Sequence, residues 1–231
     1  MPFQKNTGFI GKIIVDGTAE GTGFVVSTEF RLVATAHHVI GSVNVSRLSF
    51  QLFDSEKILS VKRIVGTFPI DREDVALLEL EEPFLDTIKA PNLISNVKPT
   101  SKFTITGYDK TKKLIARSST GELAGFVKKP NGTGFYHVEA DYAFKGMSGS
   151  PVIVPGKGII GVLIEVGKSH SSFSGQALVV PIDHVCQLDS RIETLRTKYL
   201  KQLIQFLQKP LISIIDGNDY IPLDAEIWNK S

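Results

Sequence analysis

The sequence predicts an all-β protein of antiparallel strands, arranged as a sandwich or barrel. Three observations carry this expectation. Short β-branched and aromatic runs recur between Gly, Pro, Asn, Asp and Ser punctuation. There are about a dozen of these runs at short spacing, the signature of sandwiches and barrels. Helical periodicity is missing until after residue 187.

The runs are Phe9–Val15, Gly23–Ser27, Val43–Leu52, Lys57–Val65 and Val75–Leu80, then Lys102–Gly107, Lys113–Ser118, Glu122–Val127, Tyr136–Ala140, Pro151–Val154, Ile159–Ile164 and Ala177–Val180. Asp16-Gly17 and Asn131-Gly132 are expected hairpin turns, because both residues of such a turn tolerate positive φ. Residues 87–101 differ in composition. They carry Pro91, Pro99 and several polar residues, and read as a linker between two comparable sets of strands. After residue 187, Ser190 and Glu193 form a Ser-x-x-Glu capping box. Ile192, Leu195, Tyr199, Leu203, Phe206 and Leu207 then lie on one helical face, and Pro210 ends it.

Composition narrows the function classes. The chain has 231 residues, enough for one compact domain or a domain with a modest appendage. Its net charge is only +2, so no strong basic excess points to nucleic acid. Lys110, Lys112 and Lys113, and Lys128 and Lys129, sit among turn residues and read as solvated loop charges. The lone cysteine, Cys186, allows no internal disulfide, which argues against an oxidising compartment. The N-terminal residues lack a basic stretch followed by an apolar one, and no apolar run approaches the ~20 residues of a membrane helix. The expectation is a soluble, cytoplasmic chain with no membrane association. His137, His170 and His184 do not lie at metal-ligand spacing with cysteines or paired carboxylates, so no metal and no cofactor are expected.

Three local patterns carry chemistry, and they come in a definite order. Leu32–Ile40 ends an apolar run in His37-His38. Asp74 opens the apolar run Val75–Leu80. Lys145–Ile153 places Ser148 in a Gly-x-Ser-Gly-x-Pro turn ahead of another apolar run. A serine hydroxyl is a poor nucleophile until a base takes its proton, and a histidine base needs a carboxylate to orient it. Glycine at 146 lets the backbone turn so that the amides of Gly146 and Ser148 face one side as an oxyanion hole. Either histidine could act as the base on spacing alone. Ser150 follows the glycine rather than the oxyanion turn, and Cys186 reads as a packed, inert thiol.

These segments resemble the trypsin/chymotrypsin superfamily, in particular its disulfide-free bacterial branches. Gly21-Thr-Gly-Phe resembles the family's Gly-Ser/Thr-Gly-Phe strand, and Thr35-Ala36-His37-His38 its Thr-Ala-Ala-His motif. Asp74-Val-Ala-Leu-Leu resembles Asp-Ile-Ala-Leu-Leu, and Gly146–Pro151 resembles Gly-Asp/Asn-Ser-Gly-Gly/Ser-Pro. The likeness covers roughly residues 9–187. It implies two six-stranded antiparallel β-barrels, the first about 1–90 and the second about 101–187, with 188–231 as a C-terminal helix and tail. It also implies His38, Asp74 and Ser148 as a catalytic triad, with His37 in the small-residue position beside the base. The implied activity is a serine endopeptidase acting through an acyl-enzyme on a protein or peptide substrate.

The departures from the family pattern carry implications too. Met147 stands where secreted zymogens place the aspartate that pairs with a newly cut N-terminus. That activation route is closed, so the oxyanion hole is either preorganised another way or ordered by a partner. Tyr142 occupies the position of a trypsin-like pocket carboxylate, with Asp141 and Glu165 nearby. Ile164 stands near a serine that in many members bonds the triad aspartate. Tyr142, Leu163, Ile164 and Glu165 are the expected substrate-binding residues, with 163–167 as an edge strand for an extended peptide. Two alternatives remain at this stage: a protease-like barrel that binds peptides or partners with little turnover, and a triad acting on esters. Control of activity by residues 188–231 or by a regulatory partner is a further expectation.

Overall fold

The computed structural model describes residues 8–69, 72–95, 97–98, 100–112, 114–128, 134–140, 145–166 and 176–195. It contains two closed six-stranded antiparallel barrels, the chymotrypsin-like architecture. The first holds β1 (Ile10–Val15), β2 (Thr18–Ser27), β3 (Leu32–Ala36), β4 (Leu48–Leu52), β5 (Leu59–Phe68) and β6 (Val75–Leu80). The second holds β7 (Lys102–Asp109), β8 (Leu114–Lys128), β9 (Gly134–Ala140), β10 (Pro151–Val154), β11 (Gly158–Val166) and β12 (Gln176–Pro181). The first barrel closes in the order β1-β2-β3-β6-β5-β4. The second, β7-β8-β9-β12-β11-β10 around its ring, repeats that topology strand for strand. No sequence repeat announces the duplication.

Two differences from the sequence expectation cancel in the strand count. β8 is one strand of 15 residues, where two were expected around Ser118–Gly121. It stays extended because its first half pairs with β7 and its second half with β9. Gly121 sits at the changeover, where a Cβ would stand 2.0 Å from the Glu139 carbonyl oxygen. β3 is buried at every position, so it shows none of the alternation that marks a half-exposed strand. The Asp16-Gly17 turn has φ of 51° and 75°, as a tight hairpin requires. The second expected turn, Asn131-Gly132, lies outside the described residues.

Two short helices were not expected. α1 (His37–Ile40) is a single turn that buries Val39 and Ile40. α2 (Ile182–Gln187) follows Pro181 and buries Ile182, Val185 and Cys186. Neither is long enough to leave a readable period. A helix does begin at residue 190, but its cap is Asp189, not Ser190. The Asp189 carboxylate accepts the Arg191 amide at 2.9 Å, so the capping position falls one residue early.

The segment after α2 returns to the first barrel. Leu188 covers Gly66, where a Cβ would lie 3.2 Å from its Cδ2. Ile192 is buried, and the Arg191 guanidinium stacks 4.9 Å above the Phe30 ring. Arg191 and Arg63 also donate to the carboxylate of Glu79 on β6, at 3.1 and 2.7 Å. Burial alone would raise the Glu79 pKa. The hydrogen bonds from Arg63 and Arg191, helped by Lys62, outweigh it and hold the carboxyl at about 2.

One hydrophobic cluster fills the first barrel and runs into the second through Tyr108, Phe135, Ile159, Val162, Ile164 and Val180. A separate cluster, including Phe103, Ile105, Met147, Val152 and Leu163, fills the far side of the second barrel. The barrels thus share a continuous apolar seam, and the motif residues gather along it.

Candidate active site

Asp74 opens β6 in an uncommon conformation, with φ of 55°. Its amide donates to the Pro69 carbonyl at 3.1 Å, and its own carbonyl accepts the His37 amide at 3.1 Å. The chain is therefore fastened on both sides of the carboxylate. Oδ1 accepts the His38 amide at 2.9 Å, and Oδ2 meets the His38 ring at Nδ1, 2.7 Å away. A carboxylate only accepts, so Nδ1 carries a proton and donates it to Asp74. The Asp74 side chain is 6% exposed and that of His38 34%. The acid is sealed while the base reaches the surface. His37 contributes only its backbone amide to this network.

The Ser148 loop lies between β9 and β10. Gly146 and Gly149 both take positive φ, 101° and 87°, on either side of Ser148. A Cβ on Gly149 would fall 2.0 Å from the Thr22 carbonyl oxygen and 3.0 Å from the Ala36 nitrogen. The loop is therefore pressed against β2 and the end of β3, directly before the histidine pair. Met147 is fully buried in the second barrel, and Ser148 is half-buried at the loop surface. Among the described residues, the Gly146 and Ser148 amides donate to no backbone acceptor, as an oxyanion hole requires. Also among the described residues, no hydrogen bond joins Ser148 Oγ to His38 in this resting geometry.

The expected substrate-binding residues divide. Leu163 is a correction: its side chain is in the second-barrel core, and its main chain is committed to the loop. Its amide donates to the Ser150 carbonyl at 2.9 Å, and its carbonyl accepts from Gly149 at 2.7 Å. Leu163 therefore braces the Ser148 loop from within the core. Ile164 sits in a bulge between the Leu163↔Val179 and Glu165↔Leu178 pairs, with its side chain in the seam cluster. Among the described residues, Glu165 and Val166 pair with β12 on one side and with no strand on the other. Tyr142 and Asp141 lie outside the described residues.

Sequence reasoning passed over Thr22. This fully buried β2 residue touches the loop through its amide, hydroxyl and carbonyl neighbourhood. The available signal was glycine on both sides, at 21 and 23. Glycines inside a strand mark a close approach by other backbone. A Cβ on Gly21 would indeed meet Val39 at 2.6 Å and the Ser148 carbonyl at 3.0 Å.

Comparison with known proteins bears on the family and the fold. The family model of the trypsin-like peptidase domain matches residues 21–162, more than half of the chain and all three motifs. No curated protein matches the chain significantly. Among solved structures, the fold resembles an HtrA-type protease, AlgW, solved with a decapeptide, with a TM-score of 0.65 at 13% identity. The alignment covers 82% of this chain and 66% of that one, so the chain spans just under two-thirds of its length. From the matched family model and the double-barrel fold together, the chain belongs to the trypsin-like peptidase domain family.

Proposed function

We propose that the chain is a serine endopeptidase in which Ser148, His38 and Asp74 act as the triad. The observation that carries this reading is the 2.7 Å Asp74–His38 contact, set beside a Gly146–Gly149 loop that docks against Ala36. Ser148 Oγ attacks the scissile carbonyl, and its proton passes to His38 Nε2. The C–Oγ bond forms, and the oxyanion is received by the Gly146 and Ser148 amides. Protonated His38 gives its proton to the leaving amine as the C–N bond breaks. Water, deprotonated by His38, then releases the acyl group. Asp74 fixes the His38 tautomer throughout and stabilises the imidazolium.

An extended peptide would add to the side of Glu165 and Val166 that pairs with no strand among the described residues, which supports a protein or peptide substrate. The absence of nucleic-acid recognition and the cytoplasmic location belong to the same proposal, on the small net charge and the lone Cys186. So does control of activity by residues 188–231 or a regulatory partner. Among the described residues Ser148 Oγ and His38 share no hydrogen bond, which favours a second reading, in which the barrels bind peptide with little turnover. Catalytic hydrogen bonds often tighten only when substrate binds, so this does not decide between the two. Hydrolysis of a fluorogenic peptide library by the wild-type chain and by Ser148→Ala decides it. Cleavage lost in the variant supports the endopeptidase. Binding with equal, background cleavage by both proteins supports the second reading.

A further inference from the structure

Met147 closes the zymogen route to an ordered oxyanion loop, and the loop still has a defined shape. Its polar fastenings to the other barrel converge on one residue. The Thr22 amide donates to the Ser148 carbonyl at 2.9 Å. The Thr22 hydroxyl donates to the Gly146 carbonyl at 2.9 Å and accepts the Tyr108 amide at 2.9 Å. The Thr22 carbonyl is itself held by the Thr35 hydroxyl at 2.7 Å. Thr22 is wholly buried, so water does not replace these bonds.

Both carbonyls that Thr22 holds belong to the residues whose amides would bind the oxyanion. The carbonyl of Gly146 fixes the peptide plane leading to Met147, and the carbonyl of Ser148 the plane leading to Gly149. The surroundings leave little other freedom. A Cβ on Gly146 would lie 2.8 Å from the Tyr108 carbonyl oxygen, and one on Gly107 would lie 2.9 Å from Thr22 Oγ1 and 2.1 Å from Ser150 Oγ. The Lys145 carbonyl accepts the Lys110 amide at 2.8 Å. Met147 supplies an apolar anchor in the second-barrel core, but an apolar contact does not set the direction of a peptide plane.

We propose that the Thr22 hydroxyl is a positioning group for the oxyanion loop, bridging the barrels and replacing the charge pair that Met147 rules out. This rests on reading Ser148 as the nucleophile. Thr22 touches no reacting atom and acts through the Gly146 carbonyl. Because the tether is built in, the loop is ordered without cleavage of the chain.

The test compares Thr22→Val, which keeps the shape and removes the hydroxyl, with Thr22→Ser, which restores it. Loss of two buried hydrogen bonds is expected to lower kcat by about 10- to 100-fold with KM unchanged. Affinity for a peptide boronate should fall by the same factor, and Thr22→Ser should stay within about threefold of wild type. Amide exchange of residues 145–150, measured by mass spectrometry against residues 75–80, should speed at least tenfold in Thr22→Val and stay slow in Thr22→Ser. Wild-type exchange in Thr22→Val, or equal impairment in both variants, would overturn the proposal. A wild-type chain that neither cleaves peptides nor binds the boronate would instead sink the endopeptidase reading. The exchange comparison still decides the tether in that case.

Discussion

The two barrels share one topology and divide the site unequally. The first barrel holds Asp74 and His38 in a network closed within itself, with the carboxylate accepting from both the amide and the ring of His38. The second barrel holds Ser148 on a loop whose polar ties reach outward to Thr22 as well as inward to Leu163. The Asp74–His38 pair is a property of one barrel, and the Ser148 loop a property of the seam. Duplicated folds therefore need not duplicate roles: the carboxylate–imidazole pair forms between the neighbouring ends of β3 and β6 in one barrel, while the Ser148 loop lies against the other.

Substitutions at four positions test this contrast. Asp74→Asn is expected to have the largest effect. It removes an acceptor and favours the wrong His38 tautomer, so kcat should fall about 10⁴-fold in steady-state assays with the melting temperature little changed. A collapse of stability instead would show that the pair is structural. Gly149→Ala strikes the seam. Its φ of 87° and a Cβ 2.0 Å from the Thr22 carbonyl oxygen force the loop to move. Urea unfolding should show a loss of about 3 kcal/mol, together with loss of activity.

Glu79 tests the strap that closes the second barrel onto the first. Its folded value of about 2 lies below the ordinary 4.5. The ionised group therefore contributes stability above the ordinary value, and that contribution is lost as pH falls toward 2. Between pH 5 and pH 2, Glu79→Gln should lose up to about 3 kcal/mol less than wild type in urea titrations. Arg191→Ala should have the smallest effect. It removes the Phe30 stacking and one of several Glu79 bonds, and should cost about 1 kcal/mol without changing KM.

The barrels and the three motifs were legible because each rests on local pattern. The Val75–Leu80 and Pro151–Val154 strands stand where their apolar runs placed them. What escaped depended on distant neighbours. Gly121 joins two expected strands into β8 because β7 and β9 both hold it. Asp189 displaces Ser190 as a cap while also bonding Arg191, which reaches Glu79 far back in the chain. Leu163 carries a substrate-strand pattern but is consumed by Ser150 and Gly149. The His37–His38 ambiguity, open on spacing, narrows in the geometry because only the His38 ring meets Asp74. Thr22 left only the faint signal of Gly21 and Gly23 beside it, because the partners of its hydroxyl lie in the other barrel.

The most direct measurement is labelling of the folded chain with a biotinylated fluorophosphonate, read by intact mass and peptide mapping across pH. The reading of His38, Asp74 and Ser148 as a working triad requires a single adduct on Ser148. That adduct should be lost in Ser148→Ala and in His38→Ala. Folded protein that takes no adduct, or takes one at another residue, would contradict it.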